Sequence, residues 1–190
     1  PNVAPVMKQV LLFLLLLIAS PSLAQSPSFS APLEQDIEVE FKTSMGDFRV
    51  RLFRDTPIHS RHFAQLVREG YYDGLLFHRI IRNFMIQAGD STSRHAQPGQ
   101  MLGEADRSYT LAPEFRTPTH YHRRGALAAA RESDDVNPGQ RSSATQFYVV
   151  WGKRWTPNEL ANVRDHVDAE TGENGLITDN MALDYYTRGG

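Results

Sequence analysis

The chain has 190 residues, 41% hydrophobic and 22% charged, with a formal net charge of −2. A net charge so near zero argues against bulk electrostatic binding to nucleic acid or an anionic membrane, and the length suits one domain with a sizeable core. With no cysteine in the sequence, a disulfide framework, a thiolate zinc site and a cysteine nucleophile are all excluded.

Met7-Lys8 opens a short positive region, residues 11–18 are an unbroken apolar run, and Ser22-Leu23-Ala24 places small residues at cleavage spacing. This predicts a secretory signal peptide cleaved after Ala24, because the apolar run is too short to span a bilayer comfortably. Met7 then reads as the start, with residues 1–6 as upstream sequence and residues 1–24 lost on maturation. The mature chain is expected to be exported, periplasmic or secreted, with no stable membrane insertion. Residues 25–35, which include the Ser/Pro stretch 26–32, read as a linker.

The domain is expected from residue 36 onward. Residues 37–41 (IEVEF) and 48–53 (FRVRLF) alternate apolar and polar about a turn at Gly46, which predicts a β-hairpin. Thr56-Pro57 reads as N-cap and first helical residue, Ile58, Phe63, Leu66 and Val67 recur at helical spacing, and Gly70 stops the helix. Residues 75–81 and 84–88 read as strands separated by an Arg82-Asn83 turn. Residues 91–124 read mostly as loop, with a short strand at 109–111. Residues 126–130 and 145–150 read as strands around a polar loop at 131–143. Thr156-Pro157-Asn158-Glu159 is a capping box that opens a helical stripe through Leu160, Val163 and Val167, and residues 178–186 suit a second helix. The whole predicts a mainly β domain, a barrel or sandwich capped by helices, with a helical insert at about 151–184.

Dinucleotide, phosphate-loop and serine-elbow motifs are missing from the sequence. His59/His62 and His120/His122 each offer two metal ligands without an obvious third, so no metal site is expected. No cofactor is expected either.

The stretch FHRIIRNFMIQAGD at 77–90 carries Arg79 and Gln87 inside a core-like run. Singly, Arg79 reads as an edge side chain reaching to solvent, and Gln87 as a rim residue. Together with their neighbours they match F-H-R-I-I-x-x-F-M-x-Q-x-G-D at every fixed position. The run resembles the signature of the cyclophilin-type peptidyl-prolyl cis-trans isomerases. Residues 56–74, 125–131 (GALAAAR) and 145–150 (TQFYVV) are similar to the family's first helix, its G-x-L-x-M-A strand and its S-Q-F-F strand, in the same order.

The resemblance implies a cyclophilin-like antiparallel β-barrel of eight strands capped by two helices, with a substrate groove on its outer face. It implies that proline-containing polypeptides are the partners and that the protein acts as a monomer. Arg79 and Gln87 would be catalytic. Phe84, Met85, Ala130, Arg131, Gln146 and Tyr148 would bind substrate, with Phe84, Met85 and Tyr148 gripping the proline ring. Gln87 and Gln146 would hold substrate amides and orient Arg79. Arg131 stands where the family usually has Asn, and Tyr148 where it has Phe. The family's closing strands, pocket histidine and aromatic-Leu-Asp-Gly segment have no counterpart before Gly190, so the domain is expected to be truncated there. The expected function is rotation of X-Pro bonds to assist folding of exported proteins. The alternative is a catalytically weak module that binds proline-containing segments.

Overall fold

The computed structural model describes residues 31, 33–117, 119–159, 161 and 162. The expected signal peptide at 1–24, most of the linker and the helix at 178–186 lie outside the described residues.

The first hairpin follows the alternation of its sequence. β1 (Ile37–Phe41) pairs antiparallel with β2 (Phe48–Leu52), setting Ile37 opposite Leu52, Val39 opposite Val50 and Phe41 opposite Phe48. The intervening pairs, Glu38 with Arg51 and Glu40 with Arg49, share the other face, where Arg49 Nη2 lies 3.1 Å from Glu40 Oε1. Period-two alternation sends one set inward and the other to solvent.

Helix α1 (Pro57–Arg68) has proline in its first turn as predicted, but the Thr56 hydroxyl makes no capping bond. It turns back to the Phe53 carbonyl, 3.2 Å away. The cap comes from Glu114, whose Oε1 accepts the Ile58 N–H at 3.0 Å and whose Oε2 accepts the His59 N–H at 2.9 Å. The helix ends as expected at Gly70, with φ +66. Gly70 N–H donates to Val67 and Tyr71 N–H to Leu66, both at 3.0 Å, the paired closure that a left-handed residue permits. The buried stripe differs from the apolar spacing: Ser60, His62, Ala64 and Leu66 are buried, whereas Val67 is 36% exposed. Two polar side chains are tolerated inside because both are bonded. Ser60 donates to the Phe53 carbonyl at 2.7 Å, and His62 Nε2–H donates to the Ala144 carbonyl at 2.8 Å.

The strand at 75–81 shortens to β3 (Arg79–Ile81), which pairs with β4 (Met85–Ala88). Asn83, at φ +60, makes the turn between them, and a short polar side chain tolerates that conformation. A 3-10 turn at Ser91–His95 and β5 (Thr110–Leu111) follow. β6 (Leu127–Ala129) stops one residue before Ala130. Part of the polar loop forms β7 (Ser142–Ser143), which pairs with β5. β8 (Phe147–Val150) starts two residues later than the sequence pattern suggests, because Thr145 and Gln146 bond to the Ser143 hydroxyl instead. Among the described residues the strands make sheets of two, four and two, all paired antiparallel, and the largest runs β3-β4-β8-β6. This is the expected mainly β, antiparallel arrangement. The capping box at Thr156 also forms, with Thr156 N–H donating to Glu159 Oε2 at 2.9 Å and Glu159 N–H to Thr156 Oγ1 at 3.3 Å.

Phe147 centres the core at 4% exposure. Its ring lies 5.7 Å from Phe41, 5.3 Å from Phe63, 5.3 Å from Tyr72 and 6.3 Å from Phe77. These crossed-ring contacts join the first hairpin, α1 and the main sheet, each adding to the free energy of burial.

Candidate functional site

The register of the main sheet assembles the site. Arg79 stands opposite Gln87, and Gln87 opposite Tyr148, so these side chains share one face in a row across three strands. Phe147 alternates to the other face and enters the core. On this face Arg79 reaches solvent while Gln87 and Met85 are buried, and Phe147 packs from the opposite face.

The row is wired by amides. Arg79 Nη1 donates to Gln87 Oε1 at 3.1 Å, and Gln87 Nε2 donates to Gln146 Oε1 at 2.9 Å. Gln146 Nε2 then donates to the carbonyls of Gly103 at 2.7 Å and Ala105 at 3.1 Å. Carbonyls only accept, so they fix which end of Gln146 is nitrogen, and each bond fixes the next until Gln87 presents oxygen to Arg79. Gln87 is 9% and Gln146 7% exposed, whereas Arg79 is exposed. The permanently charged member is therefore the one that reaches solvent.

The anchor of this chain is the Gly89-Asp90 pair that closes the run. A Cβ on Gly89 would sit 2.2 Å from the Thr145 carbonyl, so only glycine lets β4 lie against the chain entering β8. Asp90, 1% exposed, accepts from Thr92 N–H at 2.7 Å and from Gly103 N–H at 2.5 Å. Burial alone would raise its pKa, but bonds from Thr92, Gly103 and Ala105 hold it below the ordinary 3.8. Asp90 thus places the backbone that receives Gln146.

The expected apolar pocket is only partly open. Phe84 is 51% exposed at the hairpin tip, with its ring 6.3 Å from that of Tyr148. Met85 is 2% exposed and is buried within the sheet. The Tyr148 hydroxyl lies 3.0 Å from His122 Nε2, and the two rings stack at 5.7 Å. Sequence reading missed His122 here, since nothing local ties it to β8. Ala130 sits at the end of β6, its N–H donating to the Gln146 carbonyl and its carbonyl accepting from Ser143. Arg131 turns away to pair with Asp134.

The histidine pairs diverge. His59 meets Glu114, His62 the Ala144 carbonyl and His120 the Asp55 carboxylate. Burial pushes His62 below its ordinary pKa. Among the described residues no three metal-ligating side chains cluster.

Residues 38–178 match the family model of the cyclophilin type peptidyl-prolyl cis-trans isomerases. The peptidyl-prolyl cis-trans isomerase-like 3 of Dictyostelium discoideum is 32% identical over 128 residues, covering 67% of this chain and 73% of that protein. The spliceosome-associated protein CWC27 homolog of Danio rerio is 32% identical over 148 residues, 77% of this chain but only 29% of that protein. The crystal structure of a Cryptosporidium parvum cyclophilin type peptidyl-prolyl cis-trans isomerase aligns with a TM-score of 0.51 and 26% identity, over 65% of this chain and 71% of that one.

Proposed function

The chain belongs to the cyclophilin-type peptidyl-prolyl cis-trans isomerase family, and from that premise we propose that it catalyses rotation about X-Pro peptide bonds. The observation that carries this reading is the held guanidinium of Arg79, exposed at the end of the Gln87–Gln146 chain. Rotation about a peptide bond meets a barrier of ~18–20 kcal/mol because the nitrogen lone pair is delocalised. When the bond twists, the proline nitrogen becomes pyramidal and basic. A donor aimed there stabilises the twisted state and does little for the planar one. Arg79 has five N–H donors in all, and Gln87 takes one of them. The rest are available to the proline nitrogen and the adjacent carbonyl. Phe84 and Tyr148 flank the seat of the proline ring. Gln87 and Gln146 act mainly by positioning, since the Gln146 amide is consumed by protein partners.

Arg79→Ala is the test. Loss of one such donor lowers kcat/KM about a hundredfold on an X-Pro peptide, with peptide binding nearly unchanged. The second reading, a weakly catalytic binding module, is favoured by Met85, which at 2% exposure has little surface left to grip a ring. Under that reading wild type and Arg79→Ala turn over equally slowly.

The proposal extends to exported clients, on the strength of the sequence at 7–24. N-terminal sequencing of the mature protein should begin at Gln25. A start at Met7 with the protein retained in the cytoplasm would end that part of the proposal. The further expectation of a monomer is tested by sedimentation.

A further inference from the structure

A second constellation lies among residues with no part in the groove. The Ser142 hydroxyl is 2.7 Å from His59 Nε2, and His59 Nδ1 is 2.7 Å from Glu114 Oε2. A carboxylate only accepts, so Nδ1 carries the ring proton. In the neutral ring Nε2 is then a lone pair that accepts the Ser142 O–H. Glu114 is itself held, its two oxygens taking the Ile58 and His59 backbone N–H groups at the start of α1. The members come from β7, α1 and the loop before residue 116, with His59 and Ser142 separated by 83 positions in sequence.

Ser142 is 6% exposed, and all three residues border a cavity of about 850 Å³ that Phe147, Gln146 and Tyr148 also line. A tie between a helix and a strand is served by many polar pairs. Carboxylate, imidazole and hydroxyl in that order, bordering a cavity, is the arrangement that takes a proton from an attacking serine.

We propose that Ser142, His59 and Glu114 form a second reactive centre, an acyl-transfer site for small activated esters. Ser142 Oγ bonds to the acyl carbon and its proton passes to His59 Nε2. The bond to the leaving oxygen breaks, and that oxygen receives the proton from His59. Water then attacks the acyl-serine, giving a proton to His59. The carboxylic acid departs and the proton returns to Ser142 Oγ. Glu114 steadies the transient imidazolium. The substrate class is set by leaving group: good ones depart with little stabilisation of the tetrahedral oxyanion.

The test is a fluorophosphonate probe, whose phosphorus bonds to an activated serine Oγ with loss of fluoride. Full-length protein should be labelled at Ser142, located by peptide mass spectrometry. Ser142→Ala should abolish labelling with isomerase activity and circular dichroism unchanged, and Arg79→Ala should leave labelling intact. His59→Phe should slow labelling about a hundredfold or more. Because that change also removes a contact to Glu114, Ser142→Cys gives an independent reading in a chain with no other cysteine. Its thiol should react with iodoacetamide faster than free cysteine at neutral pH. No label on folded wild type, a label on a different serine, undiminished labelling of His59→Phe, or a thiol no faster than free cysteine would each overturn the proposal.

Discussion

Replacing Glu114 with Gln keeps the shape of the side chain and removes its charge. The carboxylate accepts three bonds, from Ile58 N–H, His59 N–H and His59 Nδ1–H, and its side chain is 6% exposed. An amide offers one oxygen and one NH2, so at least one of these donors then faces another donor. A bond to a charged group contributes about 1.5–3 kcal/mol, and the charge at a helix N-terminus a further ~0.3–1 kcal/mol. The expected loss is about 2–4 kcal/mol, read as a lower urea midpoint at pH 7 with unchanged slope.

The pH dependence has a defined sign. Burial would raise the Glu114 pKa, but the bonds from His59 and Ile58 outweigh it and hold the folded value below the ordinary 4.5. Stability from this group is therefore present above the unfolded value and lost as pH falls through the folded one. Wild type and Glu114→Gln should converge in acid, from about pH 4.5 downward. A difference under about 0.5 kcal/mol at pH 7 (the scatter of ordinary surface changes), or one equally large in acid, would refute the tertiary cap.

Gln146→Leu strands the Gly103 and Ala105 carbonyls and frees Gln87; it should cost about 1–3 kcal/mol in urea melts and lower kcat/KM on an X-Pro peptide without removing Arg79. Phe147→Ala empties the centre of the aromatic core; thermal unfolding should report a loss of about 3–5 kcal/mol. Gly89→Ala meets both a positive φ and the Thr145 carbonyl; the expected loss exceeds about 1 kcal/mol, and an unchanged melting temperature would show that β4 can shift aside.

Local features were legible where neighbours in sequence are partners in space. The alternation of residues 37–41 and 48–52, Pro57 and Gly70 at the ends of α1, and the Thr156–Glu159 capping box all formed as their residue types require. The family was legible in the run 77–90, whose polar members have no local explanation. What the sequence could not display was partnership at a distance. Glu114 caps a helix 55 residues away, and His62 meets the Ala144 carbonyl 82 residues on. Ser142 and Ser143 form a strand because β5 is there to pair with them, against a polar composition that favours loop. Gln146 looks like a substrate-facing amide until the Gly103 and Ala105 carbonyls are seen to claim it.

The strand order has a consequence for synthesis. β8, the last strand described, lies between β4 and β6. A ribosome that has finished the β3–β4 hairpin has made Arg79 and Gln87 but not the amide that orders them, since Gln146 follows Gln87 by 59 residues. Closing a loop of that length costs about 3–4 kcal/mol in chain entropy, and the late strand must enter the middle of its sheet rather than extend an edge. Until residue 150 has cleared the exit tunnel, β4 and β6 have no strand between them and their facing edges stay unpaired. The row from Arg79 through Gln87 to Gln146 is complete only once β8 is in place.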